Sequence, residues 1–367
     1  MKVLSIIETI EMSHGGPPEV LKNQISQINK KEKIIDTLLL KNISYYYLIK
    51  ILFIRKHRLK FYDFLNNYDL MHFHTLWSLK VFFLAYFANK TLVKFFFVGH
   101  GYIDLWSINE QYIKKKLFIY FFLQYAYSSA SCSFFSTVDE YLEAKKSLKI
   151  HNPFIIPNGV NLNLFKSRKI KKKIKKKILF FGRIHKKKGL NILIDVVSKL
   201  PPYFFDDFSF HITGPGQKKH IDYFKNEINQ KSLQNKIKIN GAISSKNKIQ
   251  YLKKFDIFIL PSFEEGDSIA LKEALASYLP VIITKQCRMN IVKDYNAGII
   301  IESNTNSLYK ALLKIRKANI VLMANNARKL VKEKFDNRIC SMRLFKVYQD
   351  IMCCAHKSRD WYFDEEK

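Results

Sequence analysis

The amino-acid sequence predicts an α/β protein made of two similar halves, each a doubly wound parallel sheet covered by helices. Three observations predict this class. The 367 residues are more than a single hydrophobic core usually holds. Short runs rich in β-branched and aromatic residues alternate with amphipathic segments, which is typical of parallel α/β sheets. A strongly basic segment near the middle of the chain separates two such series.

Short apolar runs predict strands in both halves of the chain. Those in the first half are Val3–Ile7, Leu70–His74, Phe95–Gly99, Ser133–Thr137 and Phe154–Ile156. Those in the second half are Ile178–Phe181, Ser209–Thr213, Ile237–Ile239, Ile257–Leu260, Val281–Ile283 and Gly298–Ile301. Helices are expected between the later strands at Leu190–Leu200, His220–Gln230, Lys246–Phe255 and Ser268–Tyr278.

Between the halves, the segment Lys166–Lys177 has nine basic residues in twelve positions. Such a run is usually solvated because its like charges repel one another, so we expect an interdomain linker over residues 166–177. The first domain would then cover residues 1–165 and the second residues 178–340, with a cleft between them.

The net charge of +31 indicates an anionic partner, such as nucleic acid, an acidic membrane surface or a phosphate-bearing substrate. The chain is also rich in Lys, Ile, Asn and Phe, and an A+T-rich genome would explain much of the same charge. Five scattered cysteines without paired spacing favour a reducing compartment and argue against a zinc framework. Glu8 and Glu11 argue against a signal peptide at the start.

The stretch Leu117–Val138 has no charged residue over 22 positions, which is long enough for a membrane span. However, Gln124 and five serines interrupt it, and its apolar part ends near Tyr127. We therefore interpret it as a buried helix followed by a strand. An integral membrane protein remains an alternative.

In open α/β sheets ligands bind beyond the carboxyl ends of the strands, and four stretches of the sequence fall there. The first contains Gly15 and Gly16, followed by prolines that suit a helix N-terminus. It could bind an anion through backbone N–H groups, or it could be a plain tight turn. The second contains Gly182, Arg183 and Lys188. Its two cations could converge on phosphate, or they could be solvated loop residues.

The third stretch, PSFEEGDSIALKEALASYLP, places acids on both sides of a helix start. Gly266 permits a tight turn, and either Asp267 or Ser268 would cap the helix. Glu265 would then lie over the cleft. Glu273 lies in the helix among small neighbours, where a carboxylate can accept two hydrogen bonds from the vicinal diol of a ribose. The alternative is that Glu273 pairs with a nearby lysine.

The fourth stretch places His100 at the end of a strand in the first half. A histidine there could bond a substrate hydroxyl, although a lone histidine is more often structural. His72 and His74 lie on one face of another strand. Because no third ligand follows at a suitable spacing, we expect these two to pack rather than to bind a metal.

Taken together, these motifs resemble the retaining glycosyltransferases of family GT4, which have the GT-B fold of two Rossmann-like domains facing each other across a cleft. The resemblance covers nearly the whole chain, from GGPP through HFHTLW, GHGYIDLW, IIPNGVNLNLF, FGRIHKKKG, ITGPG and PSFEEGDSIALKEALASYLPVI to TKQCRMNIVKDYNAGIII. Its most specific elements are the two acids eight positions apart, Glu265 and Glu273, and the G-R-x4-K-G motif at residues 182–189.

The resemblance implies a role for each motif. Glu273 would hold the ribose hydroxyls of a nucleotide-sugar donor, and Glu265 would lie against the donor sugar. Arg183 and Lys188 would grip the diphosphate and stabilise it as it leaves. His100 would lie near the hydroxymethyl group of the sugar. The remaining donor-binding positions would be Gly15, Gly16, Gly182, Gly266, Asp267 and Ser268, and a helix over about 341–367 would pack back on the first domain.

Two positions depart from the family pattern. Tyr278 stands where members usually have glycine, and Asp267 stands where an aromatic residue is common, which could change the sugar preference. The sequence has no D-x-D triplet, which agrees with transfer that needs no metal. The resemblance implies retention of configuration, no cofactor, and a UDP-, GDP- or ADP-sugar as donor.

The surplus positive charge favours a membrane partner. The segment Gln111–Tyr127 combines three lysines with aromatic and aliphatic residues, and Lys56, His57, Arg58 and Lys60 add a second basic cluster in the same half. We expect the first domain to dock on an anionic membrane, at the cytoplasmic face of the inner membrane. The acceptor would be a surface glycan: lipopolysaccharide or O-antigen, capsule, or a lipid-linked oligosaccharide.

Two other classes of protein are alternatives. A nucleic-acid-binding protein would explain the charge, but the sequence has no RRM, zinc-finger or helix-turn-helix pattern, so nucleic acid is not an expected partner. Another enzyme on the same fold, such as a sugar-nucleotide epimerase or a phosphorylase, would share the donor site.

Overall fold

The computed structural model describes residues 1–11, 16–30, 33–91, 93–100, 112–167 and 175–353. The chain forms two compact units. The first comprises Met1–Gly159 and the chain from Asn337 onward, and the second comprises Val160–Asp336. The boundaries therefore fall six and four residues before residues 165 and 340, where the sequence placed them. Val160 and Asp336 form a parallel β-bridge, so the chain enters and leaves the second unit side by side.

The first unit contains a six-stranded parallel sheet with the order β2-β1-β3-β4-β5-β6. Its strands are β1 (Val3–Ile7), β2 (Ile35–Leu39), β3 (Leu70–Phe73), β4 (Lys94–Val98), β5 (Cys132–Phe135) and β6 (Pro153–Ile155). The expected strands are present with ends shifted by at most two residues. The sequence analysis missed β2, an edge strand in which only Ile35 is buried and polar residues interrupt the apolar pattern.

Helices cover both faces of this sheet. They are α1 (Gly16–Ile28), α2 (Tyr45–Phe53), α3 (Arg55–Leu65), α4 (Leu79–Thr91), α5 (Tyr112–Phe118), α6 (Gln124–Ser129), α7 (Val138–Ala144) and, after the second unit, α16 (Asn337–Met352). A π-helical turn, Ile119–Leu123, joins α5 to α6. Phe96 and Phe134 point to the face that carries Leu344, Val347 and Tyr348 of α16. The C-terminal helix thus supplies part of the core of the first unit.

The uncharged stretch Leu117–Val138 forms helix and then strand, as expected, but its helical part is not wholly buried. Ile119 and Leu123 are buried, whereas Leu117, Tyr120 and Phe121 are 53%, 74% and 61% exposed. The reason is that the segment packs on α4 with only one side. Within the described parts of the chain, no helix combines the length and the apolar character needed to cross a membrane.

The second unit contains another six-stranded parallel sheet, with the order β12-β11-β10-β7-β8-β9. Its strands are β7 (Lys176–Phe181), β8 (Phe208–Thr213), β9 (Ile237–Asn240), β10 (Ile257–Leu260), β11 (Val281–Thr284) and β12 (Gly298–Ile301). Lys176 and Lys177 were expected in the linker, but they open β7, where their backbones pair with Phe208 and Ser209. Residues 168–174 of the expected linker lie outside the described residues.

The helices of the second unit follow the sequence prediction closely where one was made, with ends within three residues. They are α8 (Leu190–Lys199), α9 (Phe204–Asp207), α10 (Lys218–Gln230), α11 (Ser245–Leu252), α12 (Ile269–Ala276), α13 (Ile291–Asp294), α14 (Thr305–Lys317) and α15 (Ile320–Lys334).

The strand order of the second unit determines where a ligand can bind. From β7 the chain moves outward through β8 to β9, and from β10 it moves outward the other way through β11 to β12. The adjacent strands β7 and β10 therefore form a topological switch point, and the loops at their carboxyl ends diverge. In the first unit the corresponding point lies between β1 and β3.

Candidate functional site

Two loops meet where β7 and β10 end. The loop after β7 contains the 3-10 turn Lys186–Lys188. The backbone N–H of Phe263, in the loop after β10, donates to the carbonyl of Lys187 at 2.9 Å. Gly189 has φ +69°, and a Cβ at this position would come within 1.8 Å of the carbonyl oxygen of Pro261. Only glycine fits this close approach, so the Lys-Gly pair of the sequence motif is locked against the start of the second loop.

An ion pair joins the two loops. The Nζ of Lys188 is 2.6 Å from Oε1 of Glu265, and the side chain of Glu265 is only 7% exposed. The N–H of Glu265 donates to the carbonyl of Gln286 at 3.1 Å, which fixes its backbone. A carboxylate this deeply buried requires a cation to offset its desolvation. The structure therefore brings together two residues that the sequence analysis assigned to one site.

A second group of charges lies directly beside this pair, and the sequence analysis missed it. Glu264 is within 3.9 Å of the Nζ of Lys187 and within 3.3 Å of the guanidinium of Arg288. Arg288 has a left-handed backbone with φ 54°, and its side chain is 6% exposed. Two features of the sequence could have indicated this second group: the adjacent acids in FEEG and the run of lysines before Gly189. Together with Lys188 and Glu265, this group brings three cations and two carboxylates together.

Glu273 is buried in α12 and paired with a lysine from α11. Its Oε1 lies 2.5 Å from the Nζ of Lys248, and the two side chains are 5% and 12% exposed. Pairing with a lysine was the structural interpretation of Glu273, and the structure contains that pair. The sequence analysis did not identify Lys248. The binding of ribose hydroxyls by Glu273 stays a prediction.

The turn before α12 resolves which residue caps the helix. Ser268 is the N-cap, because its hydroxyl accepts the N–H of Leu271 at 3.4 Å. The carboxylate of Asp267 instead contacts the Nζ of Lys272 at 2.5 and 2.7 Å. Both side chains of this pair are almost completely buried, at 3% and 0% exposure. Gly266 lies in the bend between Glu265 and the cap.

Gly182 and Arg183 continue β7 into the first loop. The N–H of Gly182 donates to the carbonyl of Thr213 at 3.0 Å. Gly214 lies so close that a Cβ there would come within 1.8 Å of the Gly182 carbonyl oxygen, which accounts for the glycine in ITGPG. The side chain of Arg183 is exposed, and it forms no salt bridge with Glu265. The structure thus joins Lys188 to Glu265 and leaves Arg183 directed to solvent.

In the first unit, the predicted site residue His100 contacts the histidine pair of β3. The Nδ1 of His74 is 3.1 Å from Nε2 of His100, and the rings of His72 and His74 lie against each other at an angle of 34° with centroids 3.9 Å apart. The sequence analysis found no third histidine near this pair because twenty-six residues separate His74 from His100. In the part of the chain that the structure describes, no group of three or more side chains is arranged to hold a metal ion.

Burial keeps these three histidines neutral. It lowers the pKa of His100 to about 4, and it lowers the pKa values of His72 and His74 well below the usual range. The neighbouring phenol of Tyr348 has its pKa raised well above the ordinary value by the same burial.

Of the expected glycine loop, Gly16 is the first residue of α1, and Gly15 lies outside the described residues.

Comparisons with known proteins agree with this geometry. Residues 163–333, nearly the whole second unit, match the family model described as glycosyl transferases group 1. Over this stretch the chain belongs to that family. In fold the chain is similar to HepE of Anabaena in complex with UDP and glucose, with a TM-score of 0.76 and 15% identity over 95% of this chain and 100% of HepE. This likeness confirms the predicted GT-B fold.

Two curated relatives illustrate the sequence similarity of the chain. An uncharacterized glycosyltransferase, MJ1178 of Methanocaldococcus jannaschii, is 27% identical over 47% of this chain and 48% of its own length. The UDP-Gal:alpha-D-GlcNAc-diphosphoundecaprenol alpha-1,3-galactosyltransferase of Escherichia coli is 28% identical over 50% of each protein. The chain thus spans about half the length of the curated relatives it matches.

The buried pair of Asp267 and Lys272 makes a testable contribution to stability. We expect Asp267→Ala to lower the free energy of unfolding by about 3–5 kcal/mol, because it removes the carboxylate that pairs with the buried ammonium of Lys272. The matched control is Asp207→Ala, which breaks a pair with Arg316 whose partners are 35% and 38% exposed and which should cost less than about 1 kcal/mol. Urea denaturation measures both variants, and equal losses would contradict the structural role of Asp267.

The neutral histidines predict that acid destabilises the first unit. In the unfolded chain these residues bind protons below their usual pKa of 6.5, but in the folded chain they do not until far lower pH, near 4 for His100. The unfolded state therefore binds more protons, and stability falls as pH drops below 6.5. Each histidine contributes up to about 1.4 kcal/mol per pH unit. Asp36 and Asp195, with pKa values lowered from 3.8, titrate below this window.

The check is denaturation between pH 7.5 and 5. His72→Phe should reduce the slope of stability against pH, since it removes one of the buried imidazoles. His151→Gln is the control, because His151 is exposed and its substitution should leave the slope unchanged. A wild-type stability that is constant from pH 7.5 to 5 would refute the neutral cluster.

Proposed function

We propose that the chain is a retaining, metal-independent glycosyltransferase that moves a hexose-type sugar from a nucleoside diphosphate sugar to a hydroxyl of a growing surface glycan. The observation that carries the proposal is the pair of Lys188 with the buried Glu265 at the switch point between β7 and β10. Ligands of open parallel sheets bind at this point, and family membership makes a nucleotide sugar the ligand to expect.

In this proposal the diphosphate of the donor lies beside Arg183 and Lys188. Negative charge accumulates on the diphosphate as the bond to the sugar breaks, so fixed cations lower the barrier. The exposed guanidinium of Arg183 can reach a phosphate without first breaking an ion pair. Glu265, held by Lys188, would lie against the sugar. The backbone of both loops would approach the donor at Gly182, Gly266 and Ser268. These three are further members of the donor-binding set expected from the sequence.

Glu273 would bind the ribose while it stays paired with Lys248. A carboxylate has about four lone-pair sites, so the ammonium of Lys248 at Oε1 does not by itself prevent hydrogen bonds from ribose hydroxyls. The two interpretations of Glu273 that the sequence left open are therefore compatible. Asp267 is the weakest member of the expected donor-binding set, because its carboxylate is already bound by Lys272.

The proposed donor is a UDP-sugar, with GDP- and ADP-sugars as the outcomes to be tested against it. HepE binds UDP and glucose, and the name of the Escherichia coli relative specifies UDP-Gal. The acceptor of that relative is linked to diphosphoundecaprenol, which supports a glycan or lipid-linked acceptor here. The roles expected for His100, near the sugar, and for Gly15 and Gly16, near the phosphates, stay predictions.

The first unit also presents a surface suited to an anionic membrane, which we name the aromatic face. It comprises the exposed side chains of α2, of α5 and of the π turn. In α2, Tyr46 and Phe53 are 67% and 82% exposed, and the Nζ of Lys50 lies 4.3 Å from the centre of the Tyr46 ring. In the π turn, Tyr120 and Phe121 are 74% and 61% exposed. Rings with lysines beside them are typical of side chains that enter a lipid headgroup layer.

The two parts of the aromatic face meet at the start of α4. The Nζ of Lys80 lies 5.1 Å from the centre of the Tyr45 ring, which belongs to α2. Three residues earlier, Trp77 packs against Phe118 of α5 with ring centroids 5.8 Å apart, and the Nζ of Lys115 lies over the same Trp77 ring. The short segment from Trp77 to Lys80 thus contacts both α2 and α5. We propose that this continuous face docks on the cytoplasmic side of the inner membrane, where a lipid-linked acceptor would be presented.

Substitutions in the second unit test the donor site through hydrolysis of UDP-glucose, which needs no acceptor. Arg183→Ala should lower the rate by about 10²–10³ because one fixed cation no longer stabilises the leaving diphosphate. Its melting temperature should not change, since the side chain is exposed. Glu273→Ala should chiefly weaken UDP binding, by about ten-fold or more. Lys225→Ala, an exposed change in α10, is the control. Unchanged hydrolysis in Arg183→Ala would remove its phosphate role.

Flotation with vesicles tests the aromatic face. The protein should float with vesicles of phosphatidylglycerol and phosphatidylcholine at low salt, and less with phosphatidylcholine alone. The double change Tyr120→Ser and Phe121→Ser should reduce the bound fraction at least ten-fold, because burying each large side chain contributes about 1.5–3 kcal/mol. The matched control replaces Val321 and Leu322, exposed apolar residues of the second unit, with serine. Equal loss in the control, or no flotation of the wild type, would defeat this proposal.

A further inference from the structure

Lys248 brings a positive charge to Glu273 from a different helix. Its Nζ lies 2.5 Å from Oε1 of Glu273, and the two side chains are 12% and 5% exposed. Lys248 belongs to α11, whereas Glu273 belongs to α12. A contact this short between an ammonium and a carboxylate is a charge-assisted hydrogen bond, which is stronger than a bond between neutral groups. The orientation of the Glu273 carboxylate therefore depends on where α11 places Lys248.

α11 is anchored to the carboxyl ends of two strands, so the ammonium has a fixed origin. The hydroxyl of Tyr251 lies 2.8 Å from Oγ1 of Thr213, the last residue of β8. The side-chain amide of Asn240, the last residue of β9, donates to the same oxygen at 3.2 Å. Tyr251 follows Lys248 by three positions, so the two side chains lie on one face of the helix. That face is the one turned toward the strand ends and toward Glu273.

A buried carboxylate that binds a diol has two requirements. It must be ionised so that its oxygens accept hydrogen bonds, and it must be held in one orientation so that both hydroxyls reach it. Lys248 meets both requirements, because its ammonium offsets the cost of burying the charge and restrains the rotation of the Glu273 side chain. We infer that Lys248 is a positioning residue that holds the carboxylate of Glu273 for the ribose of the donor. The inference rests on the proposed function, in which Glu273 binds that ribose.

A positioning role and a purely structural role of Lys248 have different effects on nucleotide recognition. Removing a structural residue lowers the affinities for a nucleoside diphosphate and for its 2′-deoxy form by the same factor, so the ratio of the two affinities does not change. Removing a residue that positions Glu273 weakens the hydrogen bonds to the ribose hydroxyls, so the ratio falls. The ratio is specific to this contact, because the two nucleotides differ in one hydroxyl.

Calorimetric titration with UDP and 2′-deoxy-UDP tests the role of Lys248. GDP or ADP, with its 2′-deoxy form, replaces UDP if the wild type binds it more tightly. We expect the wild type to prefer UDP by about ten-fold or more, because the 2′-hydroxyl bonds a charged acceptor. Lys248→Met keeps an unbranched side chain without the charge, and it should reduce this preference to about three-fold or less.

A double variant keeps the test decisive if Lys248→Met does not fold. Lys248→Met combined with Glu273→Gln removes both charges, so neither is left buried without the other. Because Lys248 acts through the carboxylate, adding Lys248→Met to Glu273→Gln should change the UDP affinity by less than about two-fold. The matched control is Lys246→Met, an exposed lysine of α11. Helix positions two apart do not share a face, so this change should leave the preference for UDP as it is in the wild type.

Three results would overturn the inference and leave the proposed function standing. The first is a folded Lys248→Met variant that keeps the wild-type preference for UDP. The second is a further fall in UDP affinity when Lys248→Met is added to Glu273→Gln, because the ammonium would then act on the nucleotide directly. The third is a fall in the preference in Lys246→Met as large as that in Lys248→Met, because the ratio would then respond to any nearby charge.

Failure of the proposed function gives different results. A wild type that binds UDP and 2′-deoxy-UDP equally would remove the ribose role of Glu273, and the inference about Lys248 with it, while nucleotide binding itself would stand. A wild type that binds none of UDP, GDP and ADP would contradict the donor site as a whole and therefore also the role of Lys248.

Discussion

The second unit depends on the requirement that a buried carboxylate have a cation beside it. Glu264 and Glu265 lie in the loop after β10, at a point where backbone and side chains leave little access to water. Lys188 pairs with Glu265, and this contact draws the loop after β7 against the loop after β10. Gly189 makes the approach possible, because any side chain there would collide with Pro261. The charged site and the packing of the loops are therefore one constraint.

The two units place polar groups at their strand ends by different physical means. In the second unit, charges are paired, as with Glu273 and Lys248, so a helix that packs on the sheet can carry buried acids. In the first unit, burial instead keeps His72 and His74 uncharged, and hydrogen bonds between neutral rings replace ion pairs. Paired charges suit a ligand that carries a diphosphate, whereas neutral donors suit hydroxyl groups.

The fold was largely predictable because parallel strands are buried on both faces and read as apolar runs, as Ile257–Leu260 does. The edge strand Ile35–Leu39 was not predicted, because it is half exposed. The exposure of the rings of Tyr120 and Phe121 was not predicted either, because composition does not show which side of a helix packs. The motifs assigned Lys188 and Glu265 to one site, but they did not predict the ion pair between them. They did not indicate Lys248 or Arg288, since single-sequence patterns carry no information on which distant side chains meet.

The central claim is that the ends of β7 and β10 hold the nucleotide of a sugar donor. A crystal structure of the full chain with UDP-glucose tests it most directly. The account predicts the ribose hydroxyls within about 2.6–3.2 Å of Glu273. It also predicts phosphate oxygens in contact with both Arg183 and Lys188. A nucleotide bound at another place on the chain, with the pair of Lys188 and Glu265 far from any phosphate, would contradict it.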